Sequence, residues 1–598
     1  MRRPLLKTLT FDIECDGLLQ ECTKIHCAVV YDHEMGEYHS YVPNNIHRLP
    51  LLLQTADVVI GHNIIGYDLP VLKKLYNLEL DCEIVDTLIY SKLAYYDLEE
   101  REALHAKVEP KLKTSHSLKA WGQRMDFPKG EYAGGWEMFT ADMLKYCNRD
   151  VACTYKLYRH LVTYKYKVPS EALSLEHKFA TIIQKQTEKG WYFDTKRAQR
   201  LHVELQREKE SIERELEEVF QPLYFGSIVK EYKKYPRNST CKVTGNRVQT
   251  VGEFTPVKLT EFNAGSRKHI YKWLHHMYGW KPKEYTDKGS VIVDATILGK
   301  LPYKEAQLLS KYFDLQKVLG MIIEGKNAWL KLVDEGQRIH GELDILGAVS
   351  GRCTHRTPNL AQVPSGRSFK GKECRELFTV PEGYQLVGVD ANSLELRMLA
   401  HYMAFFDKGA YGRELLNGDI HTHNQKMAGL DTRDQAKTFI YALLYGAGSG
   451  KLGAVVGGSS KRGEQLKKKF FTSIPALSKL TKSVQSKYQE IGYLRGITGR
   501  RLYIRSEHSA LNTLLQSAGA YVMKYYAILL DQNLQKYGDA VAFVGNIHDE
   551  IQLEVRNDIV DEVKDICEHT FSSITTQLKW RLPLEGKAKS GLTWMDTH

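Results

Sequence analysis

The sequence predicts a chain of several domains, of α/β and α+β class, on three observations. At 598 residues it exceeds what one hydrophobic core supports. Strand-like alternation mixed with helices fills residues 1–165, helical periodicity dominates 166–345, and strands and helices alternate again over 346–598. Hydrophobic residues make up 43% and charged residues 26%, a globular balance that excludes long disordered stretches.

Taken in order, Leu5 to Glu14, Ile25 to Tyr31 and Tyr38 to Val42 read as successive strands, and Val58 to Ile60 as a further apolar one. Glu171 to Glu188 and Thr195 to Phe220 are long amphipathic helices, broken at Gly190, a residue suited to a helix end. From 225 to 259 the pattern is irregular and basic, with Lys230, Lys233, Lys234, Arg237, Lys242 and Arg247 among Gly, Pro and Thr, as in a loop or small subdomain. Helical signals return over Ser266 to Met277 and Lys304 to Val333. No fixed-period repeat or low-complexity tract interrupts the chain.

The net charge of +11 and pI near 8.8 bias the protein toward polyanionic partners. The ten cysteines are scattered without a C-x-x-C pair, which excludes the usual zinc and redox-dithiol patterns and fits reduced thiols in a cytoplasmic setting. The opening Met1-Arg2-Arg3-Pro4 leads into no apolar signal segment, and no apolar run is long enough to span a bilayer. A soluble cytoplasmic protein with no membrane partner is expected.

Two groups of acids carry the chemistry. Along Leu9 to Glu14 the side chains alternate, so Leu9, Phe11 and Ile13 face a core while Asp12 and Glu14 share the other face. Two acids on one strand face repel unless a cation lies between them, and hard oxygen ligands suit Mg²⁺ or Mn²⁺. His62 to Asp68 places a third acid after an apolar strand, and Tyr146-x-x-x-Asp150 stacks a phenol one helical turn from a fourth. Any one of these motifs alone is better read as solvated acids on a strand and a helix.

The second group begins with the apolar strand Tyr384 to Asp390, followed by a helix that Asn392 or Ser393 is placed to cap. Val541 to Val544 leads into a hairpin with His548-Asp549-Glu550 at its turn, after which Ile551, Leu553 and Val555 alternate with Gln552 and Glu554. Between them, Arg433, Lys437, Tyr441 and Tyr445 recur every four residues along one helical stripe. Two cations followed by two rings fit a nucleoside triphosphate, though spacing alone equally allows an amphipathic surface helix with a packed tyrosine pair.

D-x-E, N-x-x-x-Y-D and Y-x-x-x-D, in this order, resemble the three motifs of the DEDDy 3′→5′ exonucleases. That resemblance implies an RNase H-like domain over 1–165, in which Asp12, Glu14, Asp68 and Asp150 bind two metal ions and Tyr146 positions the nucleophile. The later segments resemble motifs A, B and C of the family A DNA polymerases. Ser350-Gly351-Arg352, Pro358 to Gln362, and Asn512 to Gln516 with Ser517-Ala518-Gly519-Ala520 add to the resemblance, which spans nearly the whole chain and is strongest to the replicative polymerases of short-tailed bacteriophages.

The resemblance implies a right-hand arrangement: a thumb over 166–345, then palm and fingers over 346–598, with fingers at about 406–505. Asp390 and Asp549, with the Ala391 carbonyl, would bind two Mg²⁺, with Mn²⁺ as a substitute, and Glu550 joins the catalytic acids. His421, Arg433 and Lys437 would contact the triphosphate, with Lys437 as the acid for pyrophosphate departure. Glu395 would exclude a 2′-hydroxyl, Tyr441 sense the 3′ side of the sugar, and Tyr445 lie toward the base. Arg352, Asn512, Gln516 and His548 would read the minor-groove side of the new pair. Phe262-Asn263 and Gly265-Ser266 resemble the family's thumb, and Lys461, Arg462 and Lys467 to Lys469 would track template phosphates.

Primer-template DNA and deoxynucleoside triphosphates are the expected partners of a monomer, with a phage helicase-primase and a single-stranded DNA-binding protein beyond them. The phage relatives recruit thioredoxin through a long thumb insertion, for which 225–259 is too short, so thioredoxin is not expected. A host-type repair polymerase, an RNA polymerase and a non-enzymatic DNA-binding scaffold are the rival readings. Both sets of acids weigh against the scaffold, and Glu395 against ribonucleotides.

Overall fold

The computed structural model describes residues 6–226, 230–232, 239–240, 247–248, 252–254, 257–286 and 289–598, with backbone alone between 225 and 258. The chain forms two compact units. One combines Met1–Trp191, His340–Gln362 and Thr379–His598, and the other Tyr192–Ile339 and Val363–Phe378.

In the first unit, strands β1 (Thr8–Cys15), β2 (Ile25–Asp32), β3 (Glu37–Tyr41), β4 (Val58–Gly61) and β5 (Glu83–Asp86) form a mixed sheet in the order β3-β2-β1-β4-β5. β1 runs antiparallel to β2 and parallel to β4. Leu9, Phe11 and Ile13 are buried as their alternation requires. The acidic face is covered as well, because helix α1 (Ala141–Thr163) packs there, and Met143, Cys147 and Val151 close on Cys27 and Val29. A strand face expected to be polar is thus the floor of a covered cleft.

Helix α2 (Ser170–Lys189) buries a charged side chain. Glu176, 2% exposed, accepts hydrogen bonds from Lys524 Nζ at 2.6 Å and Arg500 Nη1 at 3.3 Å. Lys524, itself 3% exposed, also donates to the Ile345 carbonyl at 2.8 Å.

The second sheet comprises β6 (Tyr384–Ala391), β7 (Val541–Ile547), β8 (Glu550–Arg556) and β9 (Gly586–Gly591), all antiparallel, in the order β7-β8-β6-β9. Around it lie helices α3 (Leu394–Asp407), α4 (Arg433–Leu444) and α5 (Ala510–Leu534). The alternation of β8 predicts a polar outer face, but Gln552 and Glu554 are buried. Thr597 donates to Gln552 at 3.0 Å, and Lys189 pairs with Glu554 at 2.8 Å, so distant segments supply the partners that water would otherwise give.

Helices Thr195–Val219, Arg267–Tyr278 and Lys304–Leu319 dominate the second unit. The helix expected from Lys304 to Val333 ends at Leu319, passes through one π-type turn, Gly320–Glu324, and restarts as Trp329–Leu332. Gly325 makes the break: a Cβ there would lie 2.4 Å from the Gly320 carbonyl oxygen, an approach only glycine tolerates. Asn263 Oδ1 accepts the Gly265 N–H, and Ser266 caps the following helix.

In the basic 225–259 stretch, Leu223–Gly226 pairs with Val257–Thr260, Lys230–Tyr232 with Gly252–Phe254, and Ser239–Thr240 with Arg247–Val248. This is the short-stranded subdomain alternative. Lys233, Lys234, Arg237 and Lys242 lie outside the described residues, as do the side chains of Lys230 and Arg247. No described helix is long and apolar enough to cross a membrane.

Candidate functional site

The first centre lies between β1 and α1. Asp12 and Glu14 project from β1, and their ligand atoms lie within 4.8 Å of each other and of Cys147 Sγ. Asp68 opens the helix Asp68–Tyr76, where its Oδ1 accepts the Ile13 N–H at 3.2 Å. Tyr146 and Asp150 stand one turn apart on α1, whose first turn is capped by Thr140. Asp86, at the end of β5, accepts the N–H groups of Asn63 at 2.9 Å and Ile65 at 3.3 Å, and so shapes the loop that delivers Asp68.

Electrostatics show the four acids converging. Burial, then Asp68, Glu14 and Asp150, raises Asp12 well above the carboxylate range. Burial, then Asp150, raises Glu14 to about 9, and burial brings Asp68 to about 7. Asp150 is raised by burial against the opposing Lys129, whose ammonium lies 2.5 Å from its Oδ2. The other oxygen, Oδ1, is buried without a hydrogen-bond partner among the described residues. Clustered acids that lose a proton only at a high cost, with one oxygen unsatisfied, fit a divalent cation.

The second centre lies at the end of the second sheet. The register of β6 with β8 sets Asp390 opposite Glu550, and the Ala391 N–H donates to the Asp549 carbonyl at 3.1 Å. Asp549 follows His548, which turns the hairpin at φ +59°. Asp390 is raised to about 6 by withdrawal of its carboxyl from water, then by Glu550. Asp549 is raised to about 7 by burial, then by Glu395 and Asp390. Asp549 therefore feels Asp390 across a long separation in sequence, and their hard-oxygen set again fits divalent ions.

Glu550 differs from both. Its carboxylate is 4% exposed and accepts hydrogen bonds from Trp594 at 2.7 Å and Gln552 at 2.5 Å, with His598 Nδ1 at 2.9 Å. Burial pushes it up, but these partners together hold it below the ordinary range. Neither Trp594 nor His598 is foreshadowed by any motif near Asp549.

The expected cap at the start of α3 is a correction: Ser393 occupies the N-cap at φ +50° and makes no capping hydrogen bond. The turn is held instead by Arg397, which donates to the Asn392 carbonyl at 2.7 Å and to Glu585 at 2.7 Å. In the first turn of α3, Glu395 accepts the Tyr445 hydroxyl at 2.6 Å and Arg352 Nη2 at 2.9 Å. Burial raises its carboxyl, and Tyr445 and Arg352 outweigh that and lower it.

α4 begins with a capping box in which Thr432 and Gln435 bond each other's backbone. Tyr445 is its C-cap, so the stripe of Arg433, Lys437, Tyr441 and Tyr445 runs the whole helix. Arg433 Nε pairs with Asp419 at 2.7 Å, tying α4 to the helix Ile420–Ala428 that carries His421. The His421 ring lies 6.2 Å from that of Tyr441, its Nδ1 buried without a partner among the described residues, and Lys437 is exposed. Burial, then Glu395, Asp549 and Asp390, raises Tyr441 to about 12, so the phenol faces the acids. Arg352, Asn546 and His548 line one small cavity, and half-buried Asn512 and Gln516 stand one turn apart on α5.

Gly586 of β9 pairs with Ala391, and a Cβ there would meet the Phe571 ring at 2.3 Å and the Asp390 carbonyl at 3.1 Å. Gly586→Ala should cost about 1–3 kcal/mol of stability and displace the backbone at Asp390. Melting temperature checks this; an unchanged value would exclude the close contact.

The fold is that of a template-copying polymerase. It matches the POL domain of Pol1 from M. smegmatis, solved in complex with DNA primer-template and dNTP, at a TM-score of 0.75 and 17% identity, over 98% of this chain and 96% of that one. Residues 237–596 match the model of DNA polymerase family A. The DNA-directed DNA polymerase of Enterobacteria phage T3 is 35% identical, over 99% of this chain and 100% of its own length, and that of Escherichia phage T7 is 35% identical over 98% and 99%. The chain belongs to DNA polymerase family A, among the DNA-directed DNA polymerases of the phage type, and its N-terminal mixed sheet is consistent with an exonuclease-like domain.

Proposed function

We propose that the chain is the replicative DNA polymerase of a bacteriophage, acting in the host cytoplasm, and that it corrects its own product with a 3′→5′ exonuclease. The observation that supports this best is the presence of two separate clusters of mutually repelling carboxylates, one on β1 and α1, the other on β6 and the β7-β8 turn. Primer-template DNA and deoxynucleoside triphosphates are its substrates.

Asp390 and Asp549, with the Ala391 carbonyl, hold Mg²⁺ in the synthetic centre, and Asp12, Glu14, Asp68 and Asp150 hold it in the nuclease. When bound, the ions activate the attacking oxygen and neutralise the leaving one. His421, Arg433 and Lys437 grip the phosphates, Lys437 protonating pyrophosphate as it leaves. Glu550, its carboxylate fully bonded, adds negative charge beside Asp390 and so strengthens the attraction for a cation there. Glu395, fixed by Tyr445 and Arg352, walls the sugar pocket against a 2′-hydroxyl. Arg352, Asn512, Gln516 and His548 follow the minor groove of the new pair. In the nuclease, Tyr146 orients the attacking water.

The test is primer extension with Mg²⁺ and deoxynucleotides, beside degradation of a 3′ end without them, for the unaltered chain and variants of each centre. One set of acids serving both reactions would refute the reading. Tyr441→Phe should lower dideoxynucleotide incorporation about a hundredfold or more relative to deoxynucleotides, because its phenol stands in for the missing 3′-hydroxyl. Competition sequencing ladders give that ratio, and an unchanged one would remove Tyr441 from the sugar's 3′ side.

A further inference from the structure

Lys129 takes no part in the motifs, yet it stands inside the first centre. It follows Phe127-Pro128, a segment held against α1 by the Arg149 Nε bond to the Pro128 carbonyl at 2.9 Å and by the Arg149 guanidinium over the Phe127 ring at 3.4 Å. From there the ammonium reaches Asp150 Oδ2 at 2.5 Å and lies 4.6 Å from the centre of the Tyr146 ring. One cation thus bridges the acid and the phenol that the nuclease needs. Its partner is 3% exposed, and that acid's second oxygen is unsatisfied.

We propose that Lys129 is a resident counter-ion of the nuclease centre, competing with a divalent ion for Asp150 and so setting how much of that ion the nuclease needs. The proposal rests on the reading of Asp12, Glu14, Asp68 and Asp150 as an ion site. An ammonium at hydrogen-bond distance from a ligand oxygen repels an incoming cation and holds the oxygen that cation must take. It also offsets the repulsion among the acids when no ion is bound, as its lowering influence on Asp12 and Glu14 indicates.

Mn²⁺ binding, read by electron paramagnetic resonance on the full chain carrying Asp390→Ala and Asp549→Ala, isolates this centre. Adding Lys129→Gln should tighten Mn²⁺ about tenfold. Lys129→Met keeps the stem over the Tyr146 ring and should do the same. Primer extension by either lysine variant in the otherwise unaltered chain reports that the fold survives. Unchanged or weaker Mn²⁺ binding in both would overturn the proposal. Adding Asp12→Ala instead should abolish the Mn²⁺ signal; if it persists, the ion site itself is wrong, and the lysine's role falls with it.

Discussion

Asp390→Ala should lower primer extension about a thousandfold or more while release of nucleotides from a 3′ end continues, and Asp12→Ala should do the reverse. The size follows from what each acid does. Asp390 and Asp549 are raised to about 6 and about 7 by partial withdrawal from water and by neighbouring acids, so a cation between them stabilises the charged pair. Removing either leaves too few ligands to hold the ion against solvent. The fold should survive: Asp390 stands at the solvent-reaching end of β6 with its carboxyl only partly withdrawn from water, and the Asp12 side chain is bonded only weakly, by Cys147 Sγ at 4.0 Å. Single-turnover extension and 3′-end release, compared at equal protein, give both ratios; parallel loss of the two activities in either variant would mean one shared centre.

Glu176→Gln should destabilise the first unit by about 3–5 kcal/mol. Lys524 and Arg500 both point at this one carboxylate, and water does not reach it. An amide keeps the shape and one acceptor oxygen but removes the charge and turns an NH₂ donor toward one of the two cations. Burial already holds Arg500 below its ordinary range, with Glu176 the group that opposes this. Denaturant unfolding measures the loss, and a change under about 1 kcal/mol would mean that water enters the site.

The chemistry was more legible in the sequence than its supports. Asp12 and Glu14 alternate with three apolar residues on one strand, Tyr146 and Asp150 sit at helical spacing, and the cation-and-ring stripe has the helix's own period; local geometry alone dictates each. Thr432 and Gln435 also spell a capping box that marks where that helix begins, a local signal that was open to reading. Lys129, Asp86 and the burial of Glu550 could not be read locally, because their partners come from segments far off in sequence. Gln552 and Glu554 look like a wet face until Thr597 and Lys189 supply partners from elsewhere. The break has a local cause in Gly325, masked by helical periodicity on either side.

The pairing of β6 with β8 has a consequence for how this polymerase can vary. Asp390 meets the Asp549 turn only because the two strands pair from Tyr384 with Arg556 to Asp390 with Glu550 without a slip. One residue added to or removed from β6 would swing Asp390 to the reverse side of the sheet, away from the Asp549 turn. The loops between the intervening helices carry no such register requirement, so a change of length is tolerated there and not within β6 or β8.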